Sequence, residues 1–595
     1  MFIVTASVAA RMIAEALYLV LLVVLPAALN PLGVLAFEPL KASMLRAGAA
    51  LLAAAWLVYR FCGGSRLEVG SNPVVRAGIA VIALAALSTA LSIEPALSFF
   101  GSFDRGMGWL SLAAGGVLLI TGADLFADER RRERAVRALV LGAAVPCAYA
   151  LVQRAGLDPL HWTDLGAPGS TLASPTFLGG YLVMVAPFAA YLVISHARDA
   201  SLVYAGWLAL AIAIAGVTVL TTIRAPLLGL IAGVMTFAAL ARGRRRIGRL
   251  EIAAASGLLV LALALAIAAA GPSGIAGLQR FTNIARASDS SVERLTTWQD
   301  ALRLPLGNAF RIVLGYGPEA QQALFERAEA TVRITQSEQW DRAHDLLLDT
   351  WLTGGLAGVA ALLVLLVSAV RATWAARDRA RLLSAAVLAA LVAHLVETAF
   401  AFETVVTSAL FWAILALAAG LSTKPASTIG RGRPRLAIVA GVAGLAVAPL
   451  LVTPAAADAL YGSARRSDYL AGAQLKEVAA AWAPWVEELP RSAALDWQQV
   501  ASRRNDPSAR ARAEADLQTA ARRAPFDPVP RLRLTRFYLA QDQLEQAEQA
   551  CQAALTLAPY RASAWDACTD VSRRSARADE AAARRARAEE LRRAP

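Results

Sequence analysis

His344 stands in Asp341-Arg342-Ala343-His344-Asp345 and is one of only four histidines in 595 residues. With an ordinary pKa of about 6.5, a neutral imidazole can accept a proton at physiological pH. The flanking carboxylates Asp341 and Asp345 could orient the ring or hold it cationic. Directly behind them lies an apolar stretch, 346–370, long enough to cross a membrane. A general base at the lip of a span is one reading of His344, and a cap for that helix at the interface is the other.

Two arginines qualify as stabilisers of developing negative charge. Arg224 lies in Thr221-Thr222-Ile223-Arg224-Ala225-Pro226, between two apolar runs joined by almost no loop. A cation there needs an anion or a snorkelling route to the headgroups. Arg294, in Glu293-Arg294-Leu295-Thr296-Thr297-Trp298, shares a helical phase with Trp298, as on an amphipathic helix lying along a membrane. A solvated loop arginine is the plainer reading of it. Arg280, Arg286 and Arg342 are further cations of lower rank. His394 and Glu397 form an i,i+3 pair in an apolar run, with Glu403 beyond, and read as a structural polar pair able to line a cavity.

The chain carries no P-loop, Gly-x-Ser-x-Gly, His-Glu-x-x-His or Asp-x-Asp motif, and its four cysteines form no Cys-x-x-Cys. Chemistry here therefore has to rest on positioned cations and one base, and neither a metal nor a cofactor is expected.

The elements that must hold these residues are membrane helices. Hydrophobic residues make up 57% of the chain, charged residues 17%, and the mean hydropathy is +0.51. Apolar runs fall near 13–32, 45–61, 77–92, 108–126, 136–152, 175–194, 203–220, 225–241, 252–270, 346–370, 382–399, 405–421 and 436–452, about thirteen spans. The first, with Arg11 ahead of it and no convincing cleavage site, reads as a retained span. Arginine-rich segments at 130–137, 242–249, 371–381 and 424–435 all follow even-numbered spans. The positive-inside rule then puts the N-terminus in the cytoplasm and the long loop 271–345 outside. It also explains the net charge of +13 as topology rather than nucleic-acid binding.

The composition shifts after Thr453, dividing a membrane domain, 1–453, from a tail, 454–595, rich in Arg, Ala and Glu. Pro525-Phe526 and Pro559-Tyr560 recur at a 34-residue step, as do Ala513, Ala547 and Ala581, which predicts a tetratricopeptide-like helical array. Such a tail either recruits an envelope protein or caps the molecule, and it is expected to be accessory to chemistry in vitro. If it lies outside, Cys551 and Cys568, symmetric about the turn at Pro559-Tyr560, would bond wherever their helix faces match.

Gly315-Tyr316-Gly317, Phe325, Asp341-Arg342-Ala343-His344-Asp345-x-x-Leu348-Asp349 and Gly354-Gly355 together resemble the O-antigen ligase and polymerase superfamily. Ser98-Phe99-Phe100-Gly101-Ser102-Phe103-Asp104-Arg105-x-x-Gly108, Gly156-Leu157-Asp158-Pro159 and the segment 171–181 extend the likeness over about 99–421. The chain departs from the pattern at Asp345, where Asn is frequent, at Ser174-Pro175-Thr176 in an Asn-Pro-Asn-like segment, and at Ile223, where Ser is common.

The resemblance implies an all-α, GT-C-like polytopic bundle of 12–13 spans with a large outer loop. It implies transfer of a glycan from an undecaprenyl-diphosphate donor to an acceptor hydroxyl, with inversion, at the outer face of the cytoplasmic membrane. His344 would be the base, and Arg224 and Arg294 would stabilise the diphosphate. Arg342, Asp341, Asp345, Trp298, Arg105 and Tyr316 are expected to bind substrate. The acceptor stays open among a lipid, a protein and a growing glycan, and so does the choice between ligase and polymerase. A lipid-linked glycan flippase and a scaffold that recruits through its tail are the rival classes.

Overall fold

The computed structural model describes residues 2–63, 68–160, 167–197, 202–242, 289–336, 340–423 and 432–593. Among these residues every regular element is helical. Eleven helices are long and apolar enough to cross a membrane, and Trp109–Leu125 is a shorter apolar one. These twelve coincide with twelve of the thirteen expected spans, so the chain is a multi-pass membrane protein. The expected span 252–270 lies outside the described residues, as do Arg280 and Arg286.

The bundle is built around the helix Val405–Ser422, buried at every position from Val405 to Leu421. A helix apolar on all sides can only sit inside other helices. Close approach is achieved through small residues: a Cβ on Gly115 would meet the Trp412 ring at 2.2 Å, and one on Gly78 would meet Leu119 at 2.3 Å. The outer helices instead expose large side chains, such as Leu363, Val364 and Val367 on one and Ile438, Val439 and Val442 on another. Those faces suit hydrocarbon rather than water.

Two expectations change in detail. The arginine-rich segment 130–137 is not a loop but part of the helix Glu129–Leu141, because Arg131 and Arg134 find Glu15 at 3.4 and 2.5 Å. The run expected at 346–370 is the helix Leu346–Ala375, broken at Gly355 (φ 62°).

The tail is a succession of short helices from Thr453–Ala464 to Ala578–Arg592, each packed on the next. Ala513, Ala547 and Ala581 fall on Pro507–Arg523, Leu544–Leu557 and Ala578–Arg592, one 34-residue step apart, and all three are buried. Cys551 and Cys568 are joined by a disulfide, tying Leu544–Leu557 to Ala562–Arg574.

The tail is docked on the loops of the membrane domain. Trp485 stacks on Phe100 at 4.0 Å, and Asp458 accepts the backbone N–H groups of Val34 and Leu35 at 2.9 Å. Arg561 pairs with Glu326 in the long loop at 2.6 Å. Tail and long loop therefore share one side of the bundle.

Candidate active site

The site grows from the break at Gly355. Interrupting a helix frees carbonyls that have no water to bond at membrane depth. Here Leu352 O and Thr353 O accept the N–H groups of Tyr316 and Gly317 at 2.9 and 3.0 Å, and Ser88 Oγ donates to Thr353 O at 2.6 Å. The glycines are required: a Cβ on Gly315 would meet the Thr353 carbonyl carbon at 2.4 Å, and one on Gly355 would meet Val313 at the same distance. Gly315-Tyr316-Gly317 is thus a clamp on the broken helix.

From the clamp, the chain reaches Glu319, which joins two loops. Its carboxylate accepts the N–H of Met107 at 3.0 Å, the Ser102 hydroxyl at 3.2 Å and the Arg342 guanidinium at 2.7 Å. The turn carrying Ser102 to Met107 is shaped in turn by Arg46, which donates to Phe100 O and Gly106 O at 2.6 and 2.7 Å.

His344 sits next to these anchors, its backbone held on both sides. Ala343 N–H donates to Asp349 at 2.8 Å, and Ala343 O accepts from the Trp298 indole at 2.9 Å. The histidine itself has φ 57°, in the left-handed region, a conformation that the surrounding bonds must impose. Its ring is half-buried between Trp340 and Phe402, each 4.9 Å away, and Nδ1 faces Arg342 O at 3.3 Å. With Nδ1–H donating there, Nε2 keeps its lone pair. Burial, then the Arg294 and Arg105 cations, push the imidazole down from 6.5 to about 4, against the opposing pull of Asp341 and the Arg342 carbonyl.

Of the two expected charge stabilisers, Arg294 acts on this ring, and Arg224 acts on Arg294. Arg224 opens the helix Arg224–Ala241, and Arg294 lies on Asp289–Arg303. Burial and then the nearby Arg224 cation lower the pKa of Arg294, and Arg294 in turn bears on His344. Like charges gathered in a half-buried place favour an incoming anion.

The other expected binding residues are engaged with protein partners. Arg105 bonds Asp341 at 3.0 Å and lies over the Phe402 ring at 4.9 Å. Arg342 is buried on Glu319; burial alone would weaken its cation, but Glu319, Asp341 and Asp349 hold it above its ordinary value. Asp345 caps the following helix through Leu348 N–H at 2.9 Å. Tyr316 reaches Leu304 O at 3.4 Å and carries Arg311 over its ring at 4.9 Å. His394, fully buried, bonds Glu403 at 3.1 Å rather than the Glu397 expected to accompany it. Sequence reasoning missed Glu319, Phe402 and Trp340; only the place of Glu319 two residues after the Gly-Tyr-Gly clamp hinted at the first.

A cavity of about 160 Å³ lies behind Phe402. Gln321, Arg342, Asp349 and Glu403 line it together with apolar side chains such as Val81 and Leu362. The Gln321 amide and Asp349 Oδ2 approach each other, yet neither completes a hydrogen bond among the described residues. Such a space suits a group with hydroxyls at one end and hydrocarbon at the other.

Arg224, Arg294 and His344 lie within one stretch of chain that is recognisable by comparison. Residues 208–363 match the family model described as O-antigen ligase. No curated protein matches the chain. The matched stretch also contains the Gly315 clamp, Glu319 and the break at Gly355, so it spans both the reactive groups and the frame that fixes them.

Proposed function

We propose that this chain is a membrane glycosyltransferase of O-antigen ligase type. It would move a glycan from an undecaprenyl-diphosphate donor to an acceptor hydroxyl at the outer face of the cytoplasmic membrane. The observation that carries this reading is the O-antigen ligase match over 208–363, a stretch that holds Arg224, Arg294 and His344, with Arg294 electrostatically close to both of the others. A sugar diphosphate already has a good leaving group, so the step needs charge stabilisation and a proton acceptor.

In the proposed displacement, the acceptor oxygen forms a bond to the anomeric carbon while the bond to the diphosphate breaks. The released electron pair goes to the diphosphate, which Arg224 and Arg294 stabilise through fork-shaped hydrogen bonds. The acceptor proton passes to Nε2 of His344. A single displacement inverts the anomeric centre, and these residues perform it without a metal.

The donor also tunes the base. Burial, and then Arg294 and Arg105, depress the imidazole. A diphosphate seated on the arginines cancels part of that effect, so His344 becomes a stronger base once the donor is bound. The apolar part of the cavity behind Phe402 fits the lipid of one substrate, and the disulfide-bonded tail fits an oxidising exterior. We read the tail as tetratricopeptide-like. Recruitment of an envelope protein through it belongs to the same proposal.

The test is transfer in purified membranes supplied with lipid-linked glycan, comparing wild type with His344→Ala and Arg224→Ala. Near-normal turnover in His344→Ala would remove the base assignment, and loss of activity on adding a chelator would remove the metal-independent step. A polymerase or protein-glycosylating ligase would use the same groups, and a ladder of product lengths identifies the polymerase. Export of the lipid-linked glycan that survives His344→Ala would favour a flippase instead.

A further inference from the structure

The tail meets the long loop at a buried charged contact. Arg561 follows the turn at 559–560 and donates to both oxygens of Glu326 at 2.6 and 2.7 Å, with side-chain exposures of 8% and 2%. Gln336 completes the joint. Its amide donates to Tyr560 O at 2.9 Å, its side-chain oxygen accepts Ala562 N–H at 2.9 Å, and its backbone carbonyl accepts from Arg561 at 3.2 Å. Three consecutive tail residues, 560–562, thus grip loop positions on either side of the helix Glu329–Ile334.

The gripped segment leads to the site by two routes. Glu326 ends the short helix Gln321–Phe325, which follows Glu319, the partner of Arg342, two residues before His344. Thr331 donates its N–H and hydroxyl to Asp300 at 3.0 and 2.8 Å, and Asp300 shares the helix Asp289–Arg303 with Arg294 and Trp298. One joint therefore bears on both the base and a charge-stabilising arginine. On the tail side, the Cys551–Cys568 bond closes the hairpin that presents Arg561, and Arg584 braces it by donating to Cys568 O at 3.0 Å.

We infer that the turn at 559–562 is a latch, with Arg561 as a positioning residue that sets the loop carrying His344 and the helix carrying Arg294. The consequence for turnover rests on the proposed transferase reading; the latch itself does not. An isolated buried charge is costly, so removing either partner should release the joint. Chemistry suffers because misplacing reacting groups by 1 Å costs up to about 100-fold. The tail is thereby part of the catalytic frame.

The test uses the full-length protein in nanodiscs with Arg561→Ala, Glu326→Gln and the exchanged pair Arg561→Glu with Glu326→Arg. Amide hydrogen exchange is read over the loop and over the tail helix Leu544–Leu557, alongside kcat and KM for lipid-linked donor. Either single variant is expected to speed exchange in the loop by about tenfold or more, as loss of a buried pair implies, while the tail helix stays protected. kcat falls and KM changes little. The exchanged pair recovers part of both losses, which a merely damaged fold would not. Loop exchange and kcat unchanged in both single variants overturn the latch, as does equal loss of protection in the tail helix in both. If wild type transfers nothing but the loop loosens, the transferase reading fails and the latch stands.

Discussion

Arg342 and Arg561 are each set against a buried carboxylate, Glu319 at 2.7 Å and Glu326 at 2.6 Å. Arg294 is set near Arg224, and burial and then that neighbouring cation disfavour its charge. The first arrangement pairs cation with carboxylate and fixes loops; on the proposed reading, the second serves an incoming anion. On the proposed reading, the difference separates arginines that hold this site from arginines that act in it, although residue type and loop position make them look alike.

The sharpest way to break that comparison is to remove members of the acting set. Arg224→Ala and Arg294→Ala should each lower kcat by about 10²- to 10³-fold, the usual cost of losing one preorganised donor to a transition-state anion. Thermal unfolding of Arg294→Ala should stay at or above the wild-type temperature, since its repulsion with Arg224 has been relieved. His344→Ala should lose about 10²- to 10⁴-fold, the span of general acid–base contributions. Transfer assays and unfolding on the same preparations check all three. An Arg224→Ala enzyme that unfolds early and turns over normally would move Arg224 into the holding set.

Arg342 should behave in the opposite way. Arg342→Ala leaves Glu319 buried without its cation and should cost about 3–5 kcal/mol of stability. Arg342→Met with Glu319→Leu should recover much of that, because a buried pair replaced by apolar groups is often neutral. Unfolding temperatures of the single and double variants measure it. If Arg342→Ala unfolds like wild type and instead weakens donor binding, the guanidinium belongs to the substrate and the two-set distinction fails.

The acting set could be found in the sequence because its residue types are rare where they stand. His344 is one of four histidines, and Arg224 interrupts two apolar runs. The spans were legible for the same reason, since hydrocarbon admits little else. The holding set was not legible. Arg561 and Glu326 lie 235 residues apart, and nothing local marks either as the other's partner. The resemblance marks Tyr316 and Asp345 as substrate contacts, and nothing local announces that their hydrogen bonds also fix a broken helix and cap its start. The expectation of an accessory tail rested on composition and repeat spacing, which describe how helices stack but not the loop on which they dock. The Gly354-Gly355 pair was visible as a motif, but its meaning required the Gly315 backbone pressed against it.

The smallest predicted effect is a shift in pH dependence, and it tests whether the acting set works as a unit. A base must be neutral to act, so activity falls as pH drops through its pKa. For free enzyme that pKa is lowered to about 4, first by burial and then by Arg294 and Arg105. The acid limb of kcat/KM, which reports free enzyme, should therefore lie well below the ordinary histidine value of about 6.5. The limb of kcat reports the donor complex, where the diphosphate offsets the arginines, so it should lie at higher pH than the limb of kcat/KM. Arg294→Gln removes one depressing cation and should raise the free-enzyme limb, narrowing the gap between the two profiles. Coincident limbs in wild type, both near 6.5, would mean that the ring does not feel the arginines; His344 would then be a base acting apart from them.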